Sequence, residues 1–347
     1  MKLVQFADGD GRQHLGIIDG DEVVDLTAAG NGPSSLYDVY YQHGGCDGDF
    51  EGVLDRLLQG AGNAERHSLA ALTQLPSTPG TRHLLKPVSG PVGDPHKLRV
   101  WLAGVTHEDS AKLREIEAKQ ATGDQVNVYE QKYRECAAGG RPELFQKGEP
   151  DAVVGHGQAL TRPVDTMRLV PETELVSIYG LTSSGQVELL GFTGGNDVTD
   201  NGIEAANPLN LPQAKNWAGA CASLGPVLVT PSEFDPRELE VSCEILRQGS
   251  RVGYKEGKTG EAHLNMPDRL LHMERTLFSR IPLQPDQLQA LYWGTPLVFA
   301  EADLKDGLQD GDSVRMSFSG IGVLENPVTP LASTGQLSQR ESASGSL

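Results

Sequence analysis

Apolar positions along the chain recur mostly every second residue, in short runs broken by glycine, proline and aspartate, which is the periodicity of strands. The opening KLVQFADGDGRQHLGIIDGDEVVDL holds three such runs, Leu3 to Phe6, His14 to Ile18 and Glu22 to Leu26. Asp-Gly turns split them and predict a hairpin or meander. Helical spacing follows over Ser35 to Tyr41 and Phe50 to Leu58. Proline and glycine cluster in PVSGPVGDPHK, residues 87 to 97, which predicts a linker behind a small N-terminal α/β domain over residues 1–90.

Beyond the linker, RVWLAGVTHEDSAKLREIEAKQATG begins as a strand, Arg99 to Val105, and turns helical from about Glu108. Residues 123 to 148 are charged and irregular, the pattern of a mobile surface segment over a site. Strands and turns prevail from Asp151 to about Glu240, a helix is expected over Met266 to Phe278, and the last strands run through VRMSFSGIGVLENPV. The closing TPLASTGQLSQRESASGSL is polar and predicts a disordered tail within 331–347. The fold class this predicts is α+β and β-rich, with the second domain over residues 97–330.

Composition agrees with short strands and turns: 41 glycines, 21 prolines and only 5% aromatic residues in 347. The formal net charge of -18 excludes a nucleic-acid groove and anionic membranes as partners, while leaving room for a local basic pocket. The four cysteines, Cys46, Cys136, Cys221 and Cys243, lie far apart with no C-x-x-C pair, and are expected to be reduced. No segment approaches the ~18 apolar residues of a membrane helix, and the N-terminus lacks the apolar core of a signal peptide, so a cytoplasmic location is expected.

Candidate chemistry starts at Pro171-Glu172-Thr173-Glu174-Leu175-Val176, where a strand carries two carboxylates on one face, roughly 7 Å apart. A wet face explains such a pair, and so does a cation between them. Downstream, Asp197 follows a Gly-Gly, and a long irregular path leads to Lys215. Three carboxylates make an all-oxygen ligand set, which suits Mg2+ or Mn2+ and points away from zinc.

Residues 97 to 328 then resemble the fumarylacetoacetate hydrolase superfamily. The motifs are Glu172-Thr173-Glu174, Asn196-Asp197-Val198-Thr199, Lys215 ahead of Leu224-Gly225-Pro226, and the closing Gly320-Ile321-Gly322-Val323-Leu324-Glu325-Asn326-Pro327-Val328. The resemblance implies a mixed β-roll with a metal at its mouth, usually in a homodimer or higher homo-oligomer. It makes Glu172, Glu174 and Asp197 the metal ligands and Lys215 the lysine that meets substrate oxygens. Lys147 in RPELFQK and Thr295 in WGTPL match substrate-contacting positions.

One branch of that superfamily matches further. NGIEAANPLNLPQAK resembles a segment of the dehydratases of 2-keto-3-deoxy sugar acids, with Glu204 at a substrate-side position, and GVTHEDSAKLREIE resembles their G-x-x-Y-x-x-S pattern. Ser110 stands where the carbon–carbon bond hydrolases carry a histidine. His107 replaces the usual tyrosine, Asn201 replaces an arginine, and Ala205-Ala206 replaces Gly-Glu. The implied reaction is Mg2+-dependent loss of water from a 2-keto acid, with Glu108, Glu115 and Glu117 on the helix as candidate bases. A hydrolase of a diketo acid, an oxaloacetate-type decarboxylase and a non-catalytic sugar-acid-binding protein are the competing readings.

Overall fold

The computed structural model describes residues 1–28, 32–75, 77–123 and 128–332, so the expected disordered tail lies, from residue 333 onward, outside the described residues. The Asp-Gly turns deliver the opening meander: β1 (Lys2–Ala7), β2 (Gln13–Asp19) and β3 (Glu22–Asp25) pair antiparallel in order. Asp8 closes the first turn by accepting the N–H groups of Asp10 and Arg12, each at 2.8 Å. Then come α1 (Phe50–Gly60), β4 (Arg66–Ser68), α2 (Leu69–Leu72) and β5 (His83–Leu84). Asp49 caps α1 by accepting the Gly52 N–H at 3.2 Å.

Beyond residue 97 the chain forms β6 (Leu98–Gly104), α3 (Glu108–Thr122), α4 (Val128–Ala137), β7 (Glu143–Gln146), β8 (Val153–Val154), β9 (Leu160–Arg162) and β10 (Leu169–Val170). A long hairpin follows, β11 (Thr173–Leu181) and β12 (Val187–Asp197), then β13 (Thr199–Asp200), α5 (Asn201–Ala206), α6 (Leu211–Lys215) and β14 (Ala222–Val229). The remainder is β15 (Leu239–Arg247), β16 (Ser250–Thr259), α7 (Leu270–Arg280), β17 (Leu288–Tyr292), β18 (Asp312–Phe318) and β19 (Gly322–Pro330).

Among the described residues, twelve strands join in one sheet, ordered β4-β3-β2-β1-β14-β12-β11-β17-β6-β7, with β5 on β1 and β8 on β14. The N-terminal strands therefore extend the central sheet, because β1 pairs with β14. A second, five-stranded sheet runs β16-β15-β18-β19-β9. Alternation along β11 sends Leu175 into one core with Phe192, Trp293, Met316 and Phe318, and Val176 and Ile178 into the other with Tyr40, Val100 and Tyr292. The central hairpin is thus covered on both faces, by the second sheet and by the N-terminal helical layer.

Two elements differ from the sequence expectation. Residues 128–137, read as part of an irregular segment, form α4, because Glu115 of α3 accepts the Tyr129 and Glu130 N–H groups at 3.1 and 3.2 Å and so caps the new helix from outside. The helix expected from Met266 begins at Leu270, since Pro267 is followed by Asp268 and Arg269 with φ of 54° and 50°, outside helical space.

Candidate metal centre and its surrounding charges

The register of the central hairpin sets Thr173 opposite Asn196 and Glu174 opposite Gly195, which brings Glu172, Glu174 and Asp197 to one end of the sheet. The crossing is pinned by the Asp197 N–H donating to the Glu172 carbonyl at 3.0 Å and the Glu172 N–H donating to Asn196 Oδ1 at 3.1 Å. Glycine at 195 is required by packing, since a Cβ there would lie 2.4 Å from the Tyr292 ring. The wet-face explanation fails: Glu172, Glu174 and Asp197 are 5%, 1% and 0% exposed. Each offers an oxygen, and these lie within 4.8 Å of one another.

Three buried carboxylates repel, and the surroundings answer unevenly. Lys215, the last residue of α6, places its Nζ 2.7 Å from Glu172 Oε2 and 2.6 Å from Asp197 Oδ2. Lys147 Nζ lies 2.6 Å from Asp197 Oδ1 and also donates to the carbonyls of Val198 and Lys215, at 2.8 and 2.5 Å. Arg114 of α3 pairs with Glu172 Oε1. Against the penalty of burial, the two lysines hold Asp197 below the usual carboxylate range. Glu174 is treated differently: among the described residues it forms no ion pair and accepts the Gly294 N–H at 2.7 Å. Burial, Asp197 and Glu172 together push it well above the usual range. Gly294 can approach because its φ is +88°, where a Cβ would sit 2.1 Å from Thr106 Oγ1.

This donor set fits a hard divalent cation. Its atoms are all carboxylate oxygens, they are buried, and among the described residues Glu174 has no ion-pair partner, so a cation is what would let all three carboxyls ionise together.

The other residues singled out from sequence fall into distinct places. Lys147 is fully buried with three acceptors around it, so it braces Asp197. The Thr295 hydroxyl is turned inward, donating to the Leu297 carbonyl at 2.9 Å and accepting its N–H at 3.1 Å. His107 sits just before α3, its Nδ1 2.9 Å from Thr106 Oγ1 and its Nε2 3.1 Å from Thr259 Oγ1. Burial and, secondarily, His263 push it down to about 3, so the ring is neutral near pH 7. Ser110 is buried on the first turn of α3. Glu108 is 61% exposed and pairs with Lys112. Glu115 is spent on the α4 cap. Glu117 binds Arg114 at 3.0 Å and takes the Asn201 Nδ2–H at 2.9 Å, which ties α3 to α5. Glu204 is buried, accepts from the Tyr129 hydroxyl at 3.3 Å and faces Arg114 Nε at 3.6 Å.

Sequence reading passed over four residues here: Arg114, Tyr129, Glu143 and Arg168. Glu143 lies in the same RPELFQK segment as Lys147, opposite Gly104 in register, where a Cβ would come 2.3 Å from its Oε2. Burial and the charge of Glu204 push its carboxyl up, opposed by Lys215 and Lys132. Arg168 donates to Asn201 Oδ1 at 2.6 Å and to the Phe299 carbonyl at 2.6 Å. Arg114 carried a signal, since it lies one helical turn from Ser110 on the same face. Arg168 carried none.

Comparison with known proteins adds to this geometry. The family model for the fumarylacetoacetate (FAA) hydrolase C-terminal domain matches residues 116–329. A probable 2-keto-3-deoxyxylonate dehydratase of Haloferax volcanii is 35% identical over 231 residues, 66% of this chain and 72% of the relative. A 2-dehydro-3-deoxy-D-arabinonate dehydratase of Saccharolobus solfataricus is 35% identical over 242 residues, 70% and 74% of the two chains. A solved 2-keto-3-deoxy-D-arabinonate dehydratase complexed with magnesium and 2,5-dioxopentanoate superposes with a TM-score of 0.68 at 26% identity, covering 96% of this chain and all of that one. The mixed, β-rich fold expected from the sequence is the fold of that structure.

Proposed function

The chain belongs to the fumarylacetoacetate hydrolase family, and from that membership we propose that it is a Mg2+-dependent dehydratase, a carbon–oxygen lyase, acting on a 2-keto-3-deoxy sugar acid of the pentonate class. The observation that carries this reading is the buried triad of Glu172, Glu174 and Asp197 in a chain that is 35% identical to two such dehydratases. Mg2+ is the cation assigned to it, with Mn2+ as a substitute, since the ligands are hard oxygens and the solved relative holds magnesium.

When bound, the cation supplies Lewis-acid polarisation of the 2-keto group, which makes the C3 hydrogens acidic. The chain's residues do the remaining work. Lys215 bridges Glu172 and Asp197 and presents its remaining N–H to substrate oxygens. Glu143, on β7 four residues before the Lys147 that meets Asp197, is assigned the C3 proton, which it returns to the departing C4 hydroxyl so that water is the sole loss; burial and Glu204 push its carboxyl up. α3 covers the triad with Arg114 and keeps bulk water out.

Dehydration is favoured over carbon–carbon hydrolysis because a hydrolytic water needs an activating base. Ser110 offers no imidazole, and both nitrogens of His107 are engaged by threonine hydroxyls. The reading carries with it a cytoplasmic homodimer or higher homo-oligomer, which light scattering of the purified protein checks. The reaction itself is tested by mass spectrometry after incubating EDTA-stripped protein with 2-keto-3-deoxypentonates, with and without Mg2+. A Mg2+-dependent product lighter by one water is expected; two fragments from an acylpyruvate with the pentonates untouched would overturn the assignment.

A further inference from the structure

Helix α3 turns Ser110, Ala111, Arg114, Glu115 and Ala118 inward, a single helical face on which one guanidinium is surrounded by small or spent residues. The other cations of this helix behave as solvated charges: Lys112 is 64% exposed and Lys119 37%. Arg114 is 6% exposed. Its Nη1 reaches Glu117 at 3.0 Å and its Nη2 reaches Glu172, while Nε stands 3.6 Å from Glu204, beyond hydrogen-bond reach. Lys147 is already surrounded by three acceptors, and Lys215 bridges two triad carboxylates. Lys215 keeps one N–H, the donor it presents to substrate oxygens. Arg114, with five N–H donors and two anions within hydrogen-bond reach, is the cation beside the triad with more than one donor left over, and its closest anion, Glu172, is a residue whose charge a metal would share.

Resting on the dehydratase reading, we propose that Arg114 is a specificity-determining residue of the site: the guanidinium that meets the carboxylate of the bound 2-keto acid, delivered by α3. A planar fork matches a carboxylate in a way an ammonium does not, which is the physical reason for arginine at this position. Occupancy by an anion also ties α3 down, because the same side chain is held by Glu117, itself bonded to Asn201.

The test loads wild type, Arg114→Lys and Arg114→Gln with Mn2+ and follows binding of pyruvate and of its uncharged methyl ester by water-proton relaxation. Wild type is expected to prefer pyruvate. In Arg114→Gln, Mn2+ still binds, pyruvate weakens by at least about 10-fold, and the ester is unchanged, so the preference collapses. Arg114→Lys keeps the charge without the fork and falls between, which serves if the glutamine variant folds poorly. A residue that only braced α3 would weaken both ligands alike or neither, and either result overturns the proposal. A wild-type protein that binds no Mn2+ removes the metal reading and this one together, whereas Mn2+ binding with wild-type pyruvate affinity in both variants removes this one alone.

Discussion

Two regions of this molecule bury carboxylates almost completely, and they do it in opposite ways. Asp25, 1% exposed in the N-terminal meander, sits among donors: the Thr27 and Ala28 N–H groups reach its Oδ1 at 2.9 and 3.1 Å, and His14 and His67 approach its Oδ2 at 2.8 and 3.4 Å. At the end of the central hairpin, Glu172, Glu174 and Asp197 sit against one another, with Glu174 left to a single backbone N–H among the described residues. Burial alone does not mark a functional acid. The balance of partners to carboxylates does: Asp25 is satisfied, and Lys147, Lys215 and Arg114 pair with Asp197 and Glu172, whereas Glu174, crowded by both, has no ion-pair partner among the described residues and is the acid that calls for a cation from outside.

The largest effect is expected for Glu174→Gln. It removes one ligand charge with little change of shape, so activity should fall by at least about 1,000-fold, roughly 4 kcal/mol of barrier. The metal-free protein should be no less stable than wild type, since like-charge repulsion is relieved. Chemical denaturation and steady-state assays read both. Asp25→Asn inverts the pattern: two backbone donors and two imidazoles lose a carboxylate, stability should fall by about 2 kcal/mol, and turnover should survive. If Glu174→Gln destabilises as Asp25→Asn does, the contrast between the regions breaks.

Acidity sharpens the contrast. Glu143 has a folded-state pKa raised above its ordinary 4.5 by burial and Glu204. Its contribution to stability is therefore fully present below about pH 4.5 and lost as the pH rises through the folded value, while the base role proposed for it runs the other way. The acid limb of kcat/KM is expected above pH 4.5, and Glu143→Gln should abolish turnover with Mg2+ binding intact. The smallest effect belongs to Glu108→Gln, a surface pair with Lys112, for which activity within error of wild type is expected.

Much of this was legible in the sequence because it depends on local patterns. Asp-Gly turns gave away the meander, and alternation in Glu172-Thr173-Glu174 placed two carboxylates on one side of a strand. Asp197 could be joined to them through motif order. What sequence could not reveal depends on contacts between distant elements. α4 exists because a glutamate from another helix caps it, so its own residues read as irregular. For Lys147 the motif points to a substrate contact, and what the sequence does not show is that the carbonyls of Val198 and Lys215 and the Asp197 carboxylate surround its ammonium. Arg114 shares a helical face with Ser110, which the sequence shows, but that this face turns inward is set by packing of α3 onto the hairpin.

Calorimetric titration of Mg2+ into the EDTA-stripped wild type, Asp25→Asn and Glu174→Gln proteins asks whether the buried triad holds the cation. One site in the wild type and in Asp25→Asn, with none in Glu174→Gln, is the predicted result. Equal Mg2+ binding in all three would mean that Glu174, the unpaired acid of the three, has no part in holding the cation, and the triad would lose its assignment as the metal site.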